Sequence, residues 1–153
     1  MREIPREIIQ FFGAQRYAIV GTVGRDGTPH AACKGIVKME AEGRVYLFDL
    51  YTGSTSRNLK ANPRMSVTVV DEERFKGYCL KGTARLVKRE EIDPAMIEEW
   101  RGKISGRITH RIIRSIQGAK RHPRHPEALL PMPKRLIVLD VDEIVDLTPG
   151  HIK

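Results

Sequence analysis

A chain of 153 residues is a single domain by size, long enough to bury a core without disulfide help. Cys33 and Cys79 show neither metal-ligand spacing nor an oxidising-compartment pattern, and no apolar run reaches the roughly 18 residues of a membrane span, so the sequence reads as cytoplasmic, with no leader or membrane segment. The formal charge of +8 would suggest nucleic acid, but it is localised: residues 101–135 carry ten basic side chains against Glu127 alone, and the rest of the chain is close to neutral.

Residues 4–13 (IPREIIQFFG) space their apolar side chains as a short amphipathic helix does, with Pro5 suited to the first turn and Gly13 to the stop. Residues 17–23 (YAIVGTV) read as a strand. The Asp26-Gly27 turn then sends 30–39 (HAACKGIVKM) back as its hairpin partner. After a turn at 40–43, residues 44–51 (RVYLFDLY) set Val45, Leu47 and Asp49 on one face and Tyr46, Phe48 and Leu50 on the other. A strand apolar on both faces belongs inside a sheet. Residues 64–71 and 77–87 form a second hairpin about the charged turn EERFK. Asp93-Pro94 opens a run of one or two helices loosened at Gly102 and Gly106, the proline-rich 118–133 reads as a loop, and RLIVLDVDEIVDLTP supplies a last strand or two. Sequential hairpins predict an antiparallel sheet, and with few helices to cover it the sheet must curl into a barrel. The fold class is mainly β, a β-barrel with attached helices. Residues 1–153 form one domain, interrupted at about 95–133 by a basic helical and loop insertion.

Between the two hairpins lies TGSTSRNLKANP, residues 52–63. Ser54, Thr55 or Ser56 can each cap a two-turn helix that Asn62-Pro63 ends. One cap would suffice, yet Thr52, Ser54, Thr55 and Ser56 surround Gly53, with Arg57 in the first turn. Hydroxyls, a guanidinium and the free amides of a helix start together make a cradle for phosphate or carboxylate.

The order GRDGTPHAACKGIVKM, VYLFDLYTGSTSRNLKANPRMSVTVVD, GYCLKGTARLV, VDEIVDLTPG resembles the pyridoxamine 5'-phosphate oxidase-like family of FMN-binding split β-barrels over nearly the whole chain outside the insertion. The resemblance implies a six- to seven-stranded antiparallel split barrel, Greek-key-like, forming a homodimer with FMN at the interface. Ala32, Cys33, Lys34 and Gly35 would run along the isoalloxazine ring. Asp49, Leu50, Tyr51 and Thr52 would border the ring and ribityl chain. Ser54 and Thr55 would hold the phosphate, helped by Lys34 or Arg57, and Asn58 would brace the loop or reach the ligand. Thr55-Ser56 stands where the vitamin-oxidising members carry an arginine-lysine pair, and VDLTPGHIK where they grip the pyridoxal ring, so vitamin oxidation is not implied. Flavin reductases, bare flavin carriers, deazaflavin-dependent reductases and haem-handling proteins all stay open, with a deazaflavin coenzyme or haem as alternatives to FMN.

Other motifs have plainer readings. The run H-P-R-H-P at 122–126, with His110, reads as a solvated loop in preference to a metal or haem site, because no carboxylate or cysteine completes a ligand set. Cys33 reads as a small buried apolar residue in its strand. Arg107, Arg111 and Arg114 line one helical stripe, and Ile104, Ile108, Ile112 and Ile116 another, as in a helix packed on its own domain or a dimer mate. The segment lacks interleaved aromatics, which disfavours nucleic acid, whereas as a lid over a flavin its arginines would attract a phosphorylated nicotinamide. No catalytic triad, carboxylate pair or phosphate loop occurs, so any chemistry is a cofactor's and no catalytic residue is named. The expected function is an FMN-dependent oxidoreductase that reduces a small molecule or flavin with NAD(P)H. A non-enzymatic binder or electron carrier is the alternative.

Overall fold

The computed structural model describes residues 1–116 and 130–152, with side chains for 1–106 and 130–152. The elements run α1 (Arg6–Ala14), β1 (Ala18–Val23), β2 (Pro29–Lys34), β3 (Ile36–Glu40), β4 (Arg44–Asp49), α2 (Ser54–Ala61), β5 (Arg64–Asp71), β6 (Lys76–Lys88), α3 (Pro94–Ile116) and β7 (Arg135–Asp146), with a 3₁₀ turn at Arg89–Glu91. All seven strands join one antiparallel sheet in the order β2-β1-β5-β6-β7-β4-β3. Its two rims, β2 and β3, are consecutive in the chain and separated by Gly35 alone. The sheet therefore has to roll until the rims meet, and the result is a split barrel.

Alternation along the strands fills the barrel. Val20, Val45, Leu47, Val67, Leu80, Ile137, Leu139 and Val141 point inward and are almost fully buried, joined by Ile4 and by Ile8 and Phe12 of α1. Each such side chain contributes about 1.5–3 kcal/mol relative to exposure. On the outer face of β4 and β7, Phe48, Leu136 and Val138 join Val37 and Ile92 in a second core, with Met96, Ile97 and Trp100 of α3 packed against it. The Trp100 and Phe48 rings meet edge to face at 5.6 Å. Strand β4 is thus apolar on both faces because sheet and helix both need it, as its sequence predicts.

The structure departs from the sequence reading at three places, in the 30–39 run, at the ends of α1 and at Cys33. Residues 30–39 are two strands, since the backbone breaks at Gly35 and β3 leaves β1 to pair with β4. Gly13 lies inside α1, with Pro5 at the position before it. Pro94–Ile116 is one helix through Gly102 and Gly106, within the one or two helices the sequence predicts, and Asp93 Oδ1 accepts the Ala95 N–H at 2.9 Å as the cap its sequence predicts. Cys33 is exposed on the outer face of β2, because the register that sends Val20 inward sends Ile19 and its partner Cys33 outward. Residues 118–129 of the predicted loop, with the H-P-R-H-P run, lie outside the described residues, as do the side chains of the arginine stripe.

Candidate cofactor site

The site grows from the end of β4. Asp49 follows the inward rhythm of Val45 and Leu47, which drives a carboxylate into the barrel rim, where it is only 1% exposed. A buried charge needs partners. It accepts hydrogen bonds from Lys34 Nζ at 2.8 Å, from Ser56 Oγ and from the Thr52 backbone N–H. Burial pushes the Asp49 carboxyl up, but the bonds from Lys34 and Ser56, the lysine charge and the Thr52 amide outweigh it and hold the group below the usual carboxylate range. The one side chain therefore ties β2, β4 and α2 together across the split.

That tie shapes the loop. Thr52 adopts a φ of 51°, a left-handed conformation that β-branched residues avoid. The chain then enters α2 through Gly53, which takes the cap position in place of the predicted hydroxyls, and no side chain caps the helix. The hydroxyls are committed elsewhere: Ser56 donates to Asp49, and Ser54 Oγ accepts from Arg57 Nη2 at 2.8 Å. The first helical bond runs from the Arg57 N–H to the Gly53 carbonyl at 3.2 Å, so the amides of Ser54, Thr55 and Ser56 have no protein acceptor among the described residues. The space beside Gly53 is open. Asn58 Nδ2 donates to Thr22 Oγ1 at 3.1 Å and Leu59 is buried, which fastens the helix to the barrel. A rigid helix start with free amides and a guanidinium at its rim suits a phosphate.

Of the predicted residues, Cys33, Lys34, Gly35, Leu50 and Tyr51 come together around one cavity of about 230 Å³. Leu50 and Tyr51 of its lining are followed directly in the chain by Thr52, Gly53 and the α2 start. Ser54, Thr55, Arg57 and Asn58 lie on α2, while Ala32 is not part of the cavity lining. Lys34 is satisfied by Asp49 and Asn58 by Thr22, so Arg57 is the cation beside the amides. Thr55 is buried. Sequence reasoning missed Arg16, Tyr17, Phe48, Trp100, Ile104 and Leu130, which complete the lining. The spacing of Trp100 and Ile104 at i and i+4 was a signal, whereas Arg16 and Leu130 carried none. Among the described residues no three His, Cys, Asp or Glu side chains gather for a metal, and no helix is long and apolar enough to cross a membrane.

Residues 4–145 match the family model described as pyridoxamine 5'-phosphate oxidase. The chain belongs to this family. Solved structures with the same fold include HupZ of Group A Streptococcus, at 22% identity and a TM-score of 0.67 with 96% of each chain covered. A pyridoxamine 5'-phosphate oxidase-related, FMN binding protein of Nostoc punctiforme matches at 15% identity and a TM-score of 0.60, over 92% of this chain and 82% of that one. An F420 reductase matches at 17% and 0.57, over 93% and 98%. No curated protein matches the chain. Within the pyridoxamine 5'-phosphate oxidase family, then, this member carries the expected antiparallel split barrel with α3 laid over its outer core.

Proposed function

We propose that this protein binds FMN, with the phosphate at the amides of Ser54, Thr55 and Ser56 beside Arg57 and the ring along Cys33, Gly35, Leu50 and Tyr51, and acts as an NAD(P)H-linked oxidoreductase of a small molecule. The observation that carries the reading is the α2 start, uncapped despite four neighbouring hydroxyls and reached along the chain directly from Leu50 and Tyr51, which line the cavity. Bound FMN supplies the redox chemistry, accepting hydride and passing electrons on. The protein's own residues bind and orient. Arg57 and the helix amides hold the anion, Asp49 fixes the loop that presents them, and Phe48, Leu50 and Trp100 exclude water.

The working unit is a homodimer. The outer face of β1, β2 and β5 presents Ile19 (47% exposed), Ala31, Cys33, Ser66 and Val70, a sheet face short of charge, with Tyr17 and Tyr51 exposed near it. Such a face is what a second copy would cover. The absorption spectrum of purified protein is the test, followed by NADH or NADPH consumption by the loaded protein. Paired flavin bands with turnover support the reading, a flavin that no donor reduces leaves a carrier, and a Soret band makes the site a haem store. A deazaflavin coenzyme is the second reading, supported by the fold shared with an F420 reductase, and its single band identifies it in the same spectrum.

A further inference from the structure

Helix α3 is the most loosely seated of the three helices. None of its described side chains is buried, whereas α1 buries Ile8 and Phe12 and α2 buries Thr55, Ser56 and Leu59. Its anchorage fades along its length. Ile92, just before the helix, is buried in the outer core, and Met96, Ile97 and Trp100 pack against that core from half-buried positions. Ile104, one turn further on, lines the cofactor cavity and is not part of that core. There is space on both sides of this stretch. The cofactor cavity has Gly35, Trp100 and Ile104 in its lining, and a second cavity of about 280 Å³ has their chain neighbours Ile36, Glu99 and Lys103. An element packed to interior density has no such gaps at its flanks, and one with few buried contacts belongs to the least stable part of a fold.

A polar latch holds the outer turn. Lys103 Nζ donates to the Val37 carbonyl at 2.7 Å and pairs with Glu99 Oε1 of its own helix at 2.8 Å. The carbonyl is available because the register between β3 and β4 slips between Ile36 and Lys38, which makes Val37 the extra residue of a bulge. Arg101 Nη2 also reaches Met132 Sδ at 3.2 Å, but a thioether is a weak acceptor.

We infer that α3 is a hinged wall of the cofactor cavity, pivoting at Ile92-Asp93, and that the bond from Lys103 to the Val37 carbonyl is the latch that keeps it shut. The helix swings as a rod and keeps its own hydrogen bonds. Only the latch, the Met132 contact and the apolar contacts beyond Ile97 part, and the cavity opens along its Trp100 and Ile104 side to admit or release its occupant. That the occupant is FMN rests on the flavin reading, whereas the movement of the wall does not. Lys103 is then a positioning residue, which sets how fast the site fills and empties.

Trp100 is the chain's one tryptophan and sits in the wall itself, so acrylamide quenching of its fluorescence in cofactor-free protein follows how often the wall is open. Loss of one such hydrogen bond raises the open fraction about fivefold. Lys103→Met, which keeps the apolar stem, should therefore raise the quenching constant, Glu99→Gln should raise it less, and Lys103→Arg should stay near wild type. The same proteins are then mixed with FMN in stopped flow. An occupant that passes through the open state binds and leaves at rates that both scale with the open fraction. Lys103→Met should thus speed association and release alike, about fivefold, with Kd within about twofold of wild type. Quenching unchanged in Lys103→Met overturns the inference. So does faster release alone with Kd raised in step, which would make Lys103 a ligand contact or a support of the fold. A protein that takes up no FMN but shows the quenching pattern sinks the flavin reading and leaves the hinged wall standing.

Discussion

At the residue scale Asp49 does the most with the fewest atoms. Its folded pKa is depressed, so its contribution to stability is present above the unfolded value near ~3.9 and is lost as the pH falls through the lower folded value. Asp49→Asn should cost about 3 kcal/mol at pH 7, because it leaves Lys34 with a buried ammonium and no counter-charge. The cost should shrink as the pH falls below the unfolded value, where wild type gives up the same interaction, and urea melts at neutral and at acid pH measure the difference. Ser54→Asp tests the neighbouring site without loading the core, since Ser54 is only partly buried and the new carboxylate can pair with Arg57. We expect an intact fold and FMN affinity lowered about 100-fold or more, read by flavin fluorescence, because the new charge stands where the proposed function puts the phosphate. Little of this wiring was legible beforehand. The cluster of hydroxyls signalled an anion cradle, but which hydroxyl meets which partner depends on Asp49, Lys34 and Ser56 converging from three elements, and local pattern holds no record of that.

At the element scale the legible parts are those with local causes. The Asp26-Gly27 hairpin, the two-faced strand β4 and the Asp93-Pro94 helix start each depend on a few adjacent residues, and each forms where its residues predict. The break at Gly35 was not legible, because a lone glycine among strand formers looks like a bulge until the sheet order shows that it joins the two rims. Gly82 is a second glycine with a long-range cause. The register between β6 and β7 slips there, and a Cβ would collide with the Asp140 carbonyl and press on Val141. Gly82→Ala should cost about 2–3 kcal/mol, checked by denaturant midpoint, since backbone on the facing strand cannot yield as a side chain can.

For the whole molecule, the barrel class followed from the count of hairpins against helices, while the role of α3 emerged only with the Phe48 and Trp100 contact. The outward face about Ile19 bears on assembly. Ile19→Glu introduces a charge into a face short of charge without touching the barrel core, and for the proposed dimer it should lower the sedimenting mass to that of one chain, whereas wild type should sediment as two. If the flavin lies between two copies, the same variant loses FMN in parallel. Retention of wild-type FMN affinity by a monomer would mean that one chain completes the site.

The clasp across the split has a thermodynamic corollary. The carboxylate that fastens the β2 rim to β4 also steadies the helix start, so whatever occupies that start favours the fastened state by mass action, about 2.7 kcal/mol when the occupant is present at a hundred times its dissociation constant. Stripped of its occupant, the seam between β2 and β4 becomes the first part of the molecule to breathe, and deuterium should enter the amides flanking Gly35 and Thr52 ahead of those in β6 and β7.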